Sequence, residues 1–229
     1  MAGERRKFRR EGEERRRDAL IAAALDLIAE AGPQAATVRA IAARAGVTSG
    51  LIRHYFQRKE DLTRAAYETV MARMTADNFA VLDAAPIGPE ARLAAFVAAS
   101  LRPPVVDGRA MGLWAGFIAE VRRDPAMRMV HERNYLQYRT LLEGLIAELV
   151  GRSDRTRLRA LAIACNGLID GLWLEGCALP DGFAADELVT VGAGAIGAIL
   201  GVDLISHLPG PQTPAPAAPP LLHLEMNPT

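Results

Sequence analysis

Cysteine is almost absent from this chain of 229 residues: Cys165 and Cys177 are its only two. Two thiols so placed make neither a disulfide framework nor a zinc site, and they read as reduced helical residues of a cytoplasmic protein. Histidine is scarce too, with only His54, His131, His207 and His223. No glycine-rich phosphate loop, metal-ligand cluster or G-x-S-x-G elbow accompanies them, so an enzyme is not expected and no cofactor or metal is called for. No stretch alternates apolar and polar residues at period two, which excludes a sheet from the reading. The charged N-terminus is not followed by the apolar run of a secretory signal. The glycine-rich apolar stretch 188–202 is too short to span a bilayer and ends at Asp203, so it reads as a packing helix, and no membrane partner is expected. Aromatic residues make up only 5% of the chain, which gives each ring weight.

Net charge is also absent, with 27 basic and 27 acidic residues. The zero conceals an asymmetry. Residues 1–64 carry 14 Lys+Arg against 9 Asp+Glu, a surplus of 5 that the remainder cancels with an equal acidic excess. A basic head on an acidic body is what a protein needs when one part alone touches phosphate.

Inside that head, 37–59 reads TVRAIAARAGVTSGLIRHYFQRK: two short helices joined by a tight turn. Thr37 is placed to cap the first helix, and Val38, Ile41, Ala42 and Ala45 recur at helical spacing as its buried stripe. Gly46 stands where the chain must turn sharply, and glycine takes a left-handed conformation there without steric cost. Val47 plugs the corner and Thr48 can cap the second helix. At about 100° per residue, Leu51, Ile52, Tyr55 and Phe56 fall on one arc of that helix and Ser49, Gly50, Arg53 and His54 on the other. The apolar arc docks on the domain and leaves the polar arc for a DNA major groove. Gly50 lets the backbone approach closely, Arg53 suits bidentate reading of guanine, and His54 or Thr48 can reach bases or phosphates. Lys59 opens a further helix and is placed to bind phosphate.

These residues carry a resemblance. Thr37, Ile41, Ala42, Ala45, Gly46, Val47, Gly50, Tyr55, Phe56 and Lys59 stand as in the signature of the TetR family of bacterial one-component repressors. Thr48 replaces the usual serine, and Arg53 stands where many relatives have tyrosine, so base preference is not transferable. The resemblance implies DNA contacts at Thr37, Thr48, Ser49, Gly50, Arg53, His54, Tyr55 and Lys59. Two further blocks, AMGLWAGFIAEVRRDPAM at 110–127 and LIDGLWLEGCAL at 168–179, resemble the choline-responsive BetI subfamily, as does GLIRHYFQRK at 50–59.

The expected fold is all-α. A three-helix, helix-turn-helix DNA-binding domain at 14–74 (motif 37–56) precedes a larger helical effector-binding and dimerisation domain at 75–204. An unstructured basic arm covers 1–13 and a disordered Pro/Ala-rich tail covers 205–229. Helices are expected over 13–31, 59–82, 90–101, 110–122, 125–150, 154–178 and 186–202, separated by Gly, Pro and Asp punctuation. The resemblance implies a homodimer formed through the last two helices. The small residues Gly192, Ala193, Gly194, Ala195, Gly197, Ala198 and Gly201 give the last helix a smooth flank for close approach.

A quaternary ammonium donates no hydrogen bond, so proteins hold it with aromatic faces and negative charge. Trp114, Phe117, Tyr135, Tyr138 and Trp173 are the rings available, and Glu120, Asp170 and Glu175 the acids nearest them in sequence. Trp114, Phe117, Tyr138, Asp170 and Trp173 are the candidate effector contacts, with Trp114 and Phe117 expected on one helix face, as are Asp170 and Trp173. Met111, Met127 and Met129 suit either a soft pocket or a core. Three readings stay open: a repressor of choline or glycine betaine metabolism acting on operator DNA at the nucleoid, a regulator of efflux or lipid metabolism with an apolar or lipophilic-cation ligand, and a helical adaptor that binds no DNA.

Overall fold

The computed structural model describes residues 2–83, 87–151 and 154–210. Among the described residues the chain forms α-helices and one 3₁₀ turn, with no strand: α1 (Ala2–Ala31), α2 (Val38–Arg44), α3 (Ser49–Tyr55), α4 (Lys59–Asp83), α5 (Pro89–Ser100), α6 (Gly108–Arg123), α7 (Pro125–Val150), α8 (Arg155–Ala178), α9 (Glu187–Leu200) and the turn Ile205–His207. The all-α class follows from the helical spacing of the apolar residues, and most boundaries fall within two residues of the punctuation that predicts them.

The first helix differs. It is helical from Ala2, where an unstructured arm is expected up to 13. Arginine and glutamate dominate this stretch; both are good helix formers, no proline interrupts them, and a helix already nucleated at 13 propagates backwards cheaply.

Two compact units emerge. One comprises 2–70 with Gly112–Met127, the other Met71–Met111 with 128–210. The segment 112–127, expected in the second domain, therefore groups with the head. The cause is a pair of glycines. A Cβ on Gly112 would lie 2.6 Å from the Ala29 carbonyl oxygen, and one on Gly116 would lie 2.9 Å from Ile28 Cγ2. Only bare glycine lets α6 approach α1 so closely. Phe117 then packs on Tyr67 of α4 with ring centroids 4.9 Å apart. Arg64 Nη2 reaches Asp124 Oδ2 at 2.9 Å. Leu20, Ala23, Ile28, Ile41, Ile52, Leu62 and Ala66 complete this core.

In the second unit α5, α7, α8 and α9 enclose Phe96, Leu142, Leu145, Ile146, Cys165, Ile169 and Ile196. By length and composition α8 could cross a membrane, but Leu158, Ala162, Cys165 and Ile169 along it belong to this core. The chain turns into α9 through Asp186, a non-glycine residue at φ 59°. Arg102 holds that turn with two 2.8 Å bonds from Nε and Nη2 to the Asp186 carboxylate. The tail begins later than expected. Leu204 is buried, the 3₁₀ turn follows, and Arg102 Nη2 donates to the Pro209 carbonyl at 3.1 Å. Hydrophobic anchoring thus holds 205–210 in place, and the remainder of the expected tail, 211–229, lies outside the described residues.

Candidate nucleic-acid interface and effector cluster

Thr37 caps α2 as its sequence position requires, its hydroxyl accepting a 3.1 Å bond from the Ala40 N–H. Gly46 turns the chain at φ +65°. The Val47 N–H then donates to the Ala42 carbonyl at 2.9 Å, sealing the corner between the two helices. Thr48 occupies the N-cap of α3, but its side chain makes no capping bond. Its exposed hydroxyl is left facing solvent, which corrects the expected cap and favours an outward role.

The two arcs of α3 separate as the 100° wheel requires. Ile52 and the following Phe56 are buried, whereas Ser49, Gly50, Arg53 and His54 are exposed. Tyr55 is intermediate and meets His54 edge-on, ring centroids 5.1 Å apart. Phe56 is held from its other side by Arg17, whose guanidinium stands 5.4 Å from the ring centroid. Nearby, Arg44 at the end of α2 forms two bonds of 2.8 and 2.7 Å to Glu30.

Lys59 is less available than its place in the signature implies. It is half-buried, and its Nζ donates to the Pro33 carbonyl at 3.4 Å. The first turn of α4 carries Glu60 and Asp61, and Asp61 Oδ2 accepts the Arg58 N–H at 3.0 Å. Asp61 thus occupies the amide end of that helix, and a phosphate there would be met by the Lys59 ammonium group and not by the helix N–H groups.

The five candidate effector residues are divided between the two units. Trp114 and Phe117 lie in the first unit, Tyr138, Asp170 and Trp173 in the second. Trp114 is 44% exposed and Phe117 only 2%, although both were expected on one helix face. Three residues turn a helix by about 300°, so they stand roughly 60° apart, and the edge of the core runs between them. Phe117 is a core ring of the first unit.

The other three lie in the second unit, where Tyr138 and Asp170 are close enough for the carboxylate to act on the phenol. Tyr138 OH and Ser100 Oγ are 3.2 Å apart and hydrogen-bonded; burial pushes the phenol well above its ordinary pKa. Trp173 Nε1 donates to the Val105 carbonyl at 2.9 Å. Asp170, exposed as a residue, lays its carboxylate against α8 and accepts a 2.7 Å bond from Asn166 Nδ2. Desolvation raises its pKa, and the Asn166 bond opposes that shift. Asn166 Nδ2 also donates to Tyr135 OH at 3.2 Å. Ser100 and Asn166 escaped sequence reading. The available signal was an amide four residues before Asp170 in an otherwise apolar helix, hence on the same face. A carboxylate bordered by phenol rings suits a small organic cation.

Known proteins match this arrangement. Residues 20–66 fit the family model for bacterial regulatory proteins of the tetR family, and 89–201 that for the BetI-type transcriptional repressor C-terminal domain. The HTH-type transcriptional regulator BetI of Paraburkholderia phymatum is 34% identical over 168 residues, covering 73% of this chain and 84% of the relative. That of Burkholderia mallei is 35% identical over 161 residues, covering 70% and 81%. Among solved structures, a Pseudomonas aeruginosa transcriptional regulator shares the fold with TM-score 0.75 at 34% identity, covering 82% of this chain and 91% of its own. A Saccharomonospora viridis regulator in complex with choline aligns with TM-score 0.68 at 22% identity, covering 81% and 96%, a likeness of fold. TetR regulators bind operator DNA and small-molecule effectors, and catalysis is no part of the family's work. With a helix-turn-helix whose polar arc is open to solvent and a BetI-type domain behind it, this chain belongs to the TetR family of bacterial transcriptional regulators, in its BetI branch.

Proposed function

We propose that the protein is a homodimeric repressor whose paired α3 helices enter successive major grooves of a near-palindromic operator, and that a small quaternary ammonium of the choline class releases it. The observation that carries the DNA half is the outward set Ser49, Arg53 and His54 on a helix anchored by buried Ile52 and Phe56. A side chain held this way meets base edges without repacking the domain. Thr37, Thr48, Gly50 and Tyr55 frame the contact, and Lys59 adds a phosphate contact by exchanging the Pro33 carbonyl for DNA. Half-sites about 34–36 Å apart, or a multiple of that, would suit two such heads, and the protein would work in the cytoplasm at the nucleoid.

Pairing is supported by apolar surface on the last two helices. Ile163, Leu174, Val191 and Ile199 are each two-fifths or more exposed, an arrangement that favours a partner surface. Beside them a hollow of about 440 Å³ is lined by Ala193, Gly194, Gly197, Ala198 and Gly201 together with 202–205. Gly192 and Gly197 themselves pack within the chain, where a Cβ would lie 2.6 Å from Leu101 Cδ1 and from the Val202 carbonyl oxygen respectively, so the exposed side chains, and not the small residues, carry the pairing.

The choline class is supported by Asp170 with Tyr138 and Tyr135 near it, and by the choline held by the structural neighbour. Release requires that the effector bind the DNA-free conformation better, so operator must weaken effector binding by the same factor. A gel-shift titration on DNA from upstream of the protein's own gene tests the whole scheme. Choline should lower operator affinity, and a retarded band unmoved by choline, betaine aldehyde and glycine betaine would sink the effector half.

A further inference from the structure

Asn166 contains an acceptor that no described residue fills. The residue is 2% exposed, and its Oδ1 accepts no hydrogen bond from any described residue. Rotating the amide does not help. The Nδ2 group faces the Asp170 carboxylate at 2.7 Å, and a carbonyl turned toward that carboxylate would repel it. Asp170 thus fixes the orientation, and Tyr135 OH, which can donate as well as accept, receives a bond from Nδ2 in it. The orphan is therefore Oδ1. Buried carbonyls rarely go unpaired, so this one is open to a donor from outside the described residues.

Resting on the quaternary-ammonium reading above, we infer that Asn166 is a specificity-determining residue. Its Oδ1 accepts a hydrogen bond from the hydroxyl of a cationic alcohol whose charge sits by Asp170. Two constraints follow. The Asp170 oxygen touches the same amide that carries Oδ1, so the two acceptors are separated by roughly 5 Å at most. A chain of about two carbons between hydroxyl and cation is then the right length. A ligand ending in a carboxylate, which has no donor and carries charge of the wrong sign, is excluded by both groups. The site selects the amino alcohol over its oxidised, zwitterionic counterpart.

Propyltrimethylammonium isolates the claim, since it replaces the choline hydroxyl by a methyl group of similar size. With the full-length wild-type protein, isothermal titration should show choline binding at least tenfold more tightly than propyltrimethylammonium, with glycine betaine weaker than either. In Asn166→Leu, with its helical circular dichroism and operator binding checked, that preference should vanish. Equal wild-type affinities for choline and propyltrimethylammonium would overturn the role of Asn166 and leave the quaternary-ammonium reading standing. Binding of none of the three by protein that binds DNA would overturn both. The wild-type comparison alone can overturn the proposal, even where the variant misfolds, and Asn166→Asp, close in size, then serves as the second variant.

Discussion

Replacing Gly112 by alanine should destabilise the protein, although the same change in an open helix position stabilises it. Glycine inside a helix costs about 0.5–1 kcal/mol relative to alanine, so the intrinsic term favours the substitution. In α6 that term is opposed by geometry. The new methyl carbon would stand 2.6 Å from the Ala29 carbonyl oxygen and 3.3 Å from the Ala29 Cα. Both atoms are backbone of α1, which cannot swing aside as a side chain could, so α6 must lift by several tenths of an ångström. That loosens Phe117 from Tyr67 and lengthens the Arg64–Asp124 bond. Overpacking of this kind costs about 1–3 kcal/mol, which set against the propensity gain leaves a net loss of up to about 2.5 kcal/mol. Gly144, inside α7, has nothing within 4 Å of its hypothetical Cβ, so Gly144→Ala should gain about 0.5–1 kcal/mol. At about 2–4 °C per kcal/mol for a chain of this size, melting followed by circular dichroism at 222 nm should move down for Gly112→Ala and up for Gly144→Ala. If the two variants shift in the same direction, the close approach of α6 to α1 is not what holds 112–127 in the head.

Arg53→Ala should cost about 1–3 kcal/mol of specific operator affinity while sparing binding to unrelated DNA, as competition gel shifts would reveal; a uniform loss on all sequences would make Arg53 a phosphate contact instead. Asp124 contributes through its charge: the hydrogen bond from Arg64 holds its carboxyl below the usual aspartate range, so this stabilisation is complete above about pH 4 and is lost as pH falls through the lowered pKa. Asp124→Asn should therefore lower wild-type stability by about 0.5–1 kcal/mol at neutral pH and flatten its decline below pH 4, a prediction refuted if urea-unfolding curves of the two proteins stay parallel from pH 7 to pH 3. Val191 is 49% exposed on α9, and Val191→Glu would place a charge in the proposed interface; sedimentation velocity should then find monomers where the wild type is dimeric, and an undisturbed dimer would move the interface elsewhere.

The motif at 37–56 was legible because its logic is local. A capping hydroxyl, a glycine hinge and a 3.6-residue period act within a few residues of one another, and Thr37, Gly46, Ile52 and Phe56 do in the structure what that period assigns them. Thr48 shows the boundary of such reading. Its position is that of a cap, but whether the hydroxyl turns toward the N–H groups or away depends on rotamer and surroundings. Lys59 likewise matches the signature, and only the fold reveals the Pro33 carbonyl beneath its ammonium group.

The effector residues were harder to read for the same reason. Trp114 and Phe117 share a helix and a spacing, but the rim of a core is drawn by the helices that arrive from elsewhere, and α1 and α4 enclose one ring and leave the other exposed. Composition, period and punctuation were sufficient for an all-α chain with a basic head, and the resemblance of 37–59 to a known signature made that head a DNA-binding one, because all of these depend on neighbours along the chain. Tertiary structure alone decided that α6 joins the head through Gly112 and Gly116, that 205–210 are anchored, and that Asn166 keeps a buried carbonyl unfilled. Each of these depends on atoms brought together from distant segments, and a one-dimensional pattern carries no record of that approach.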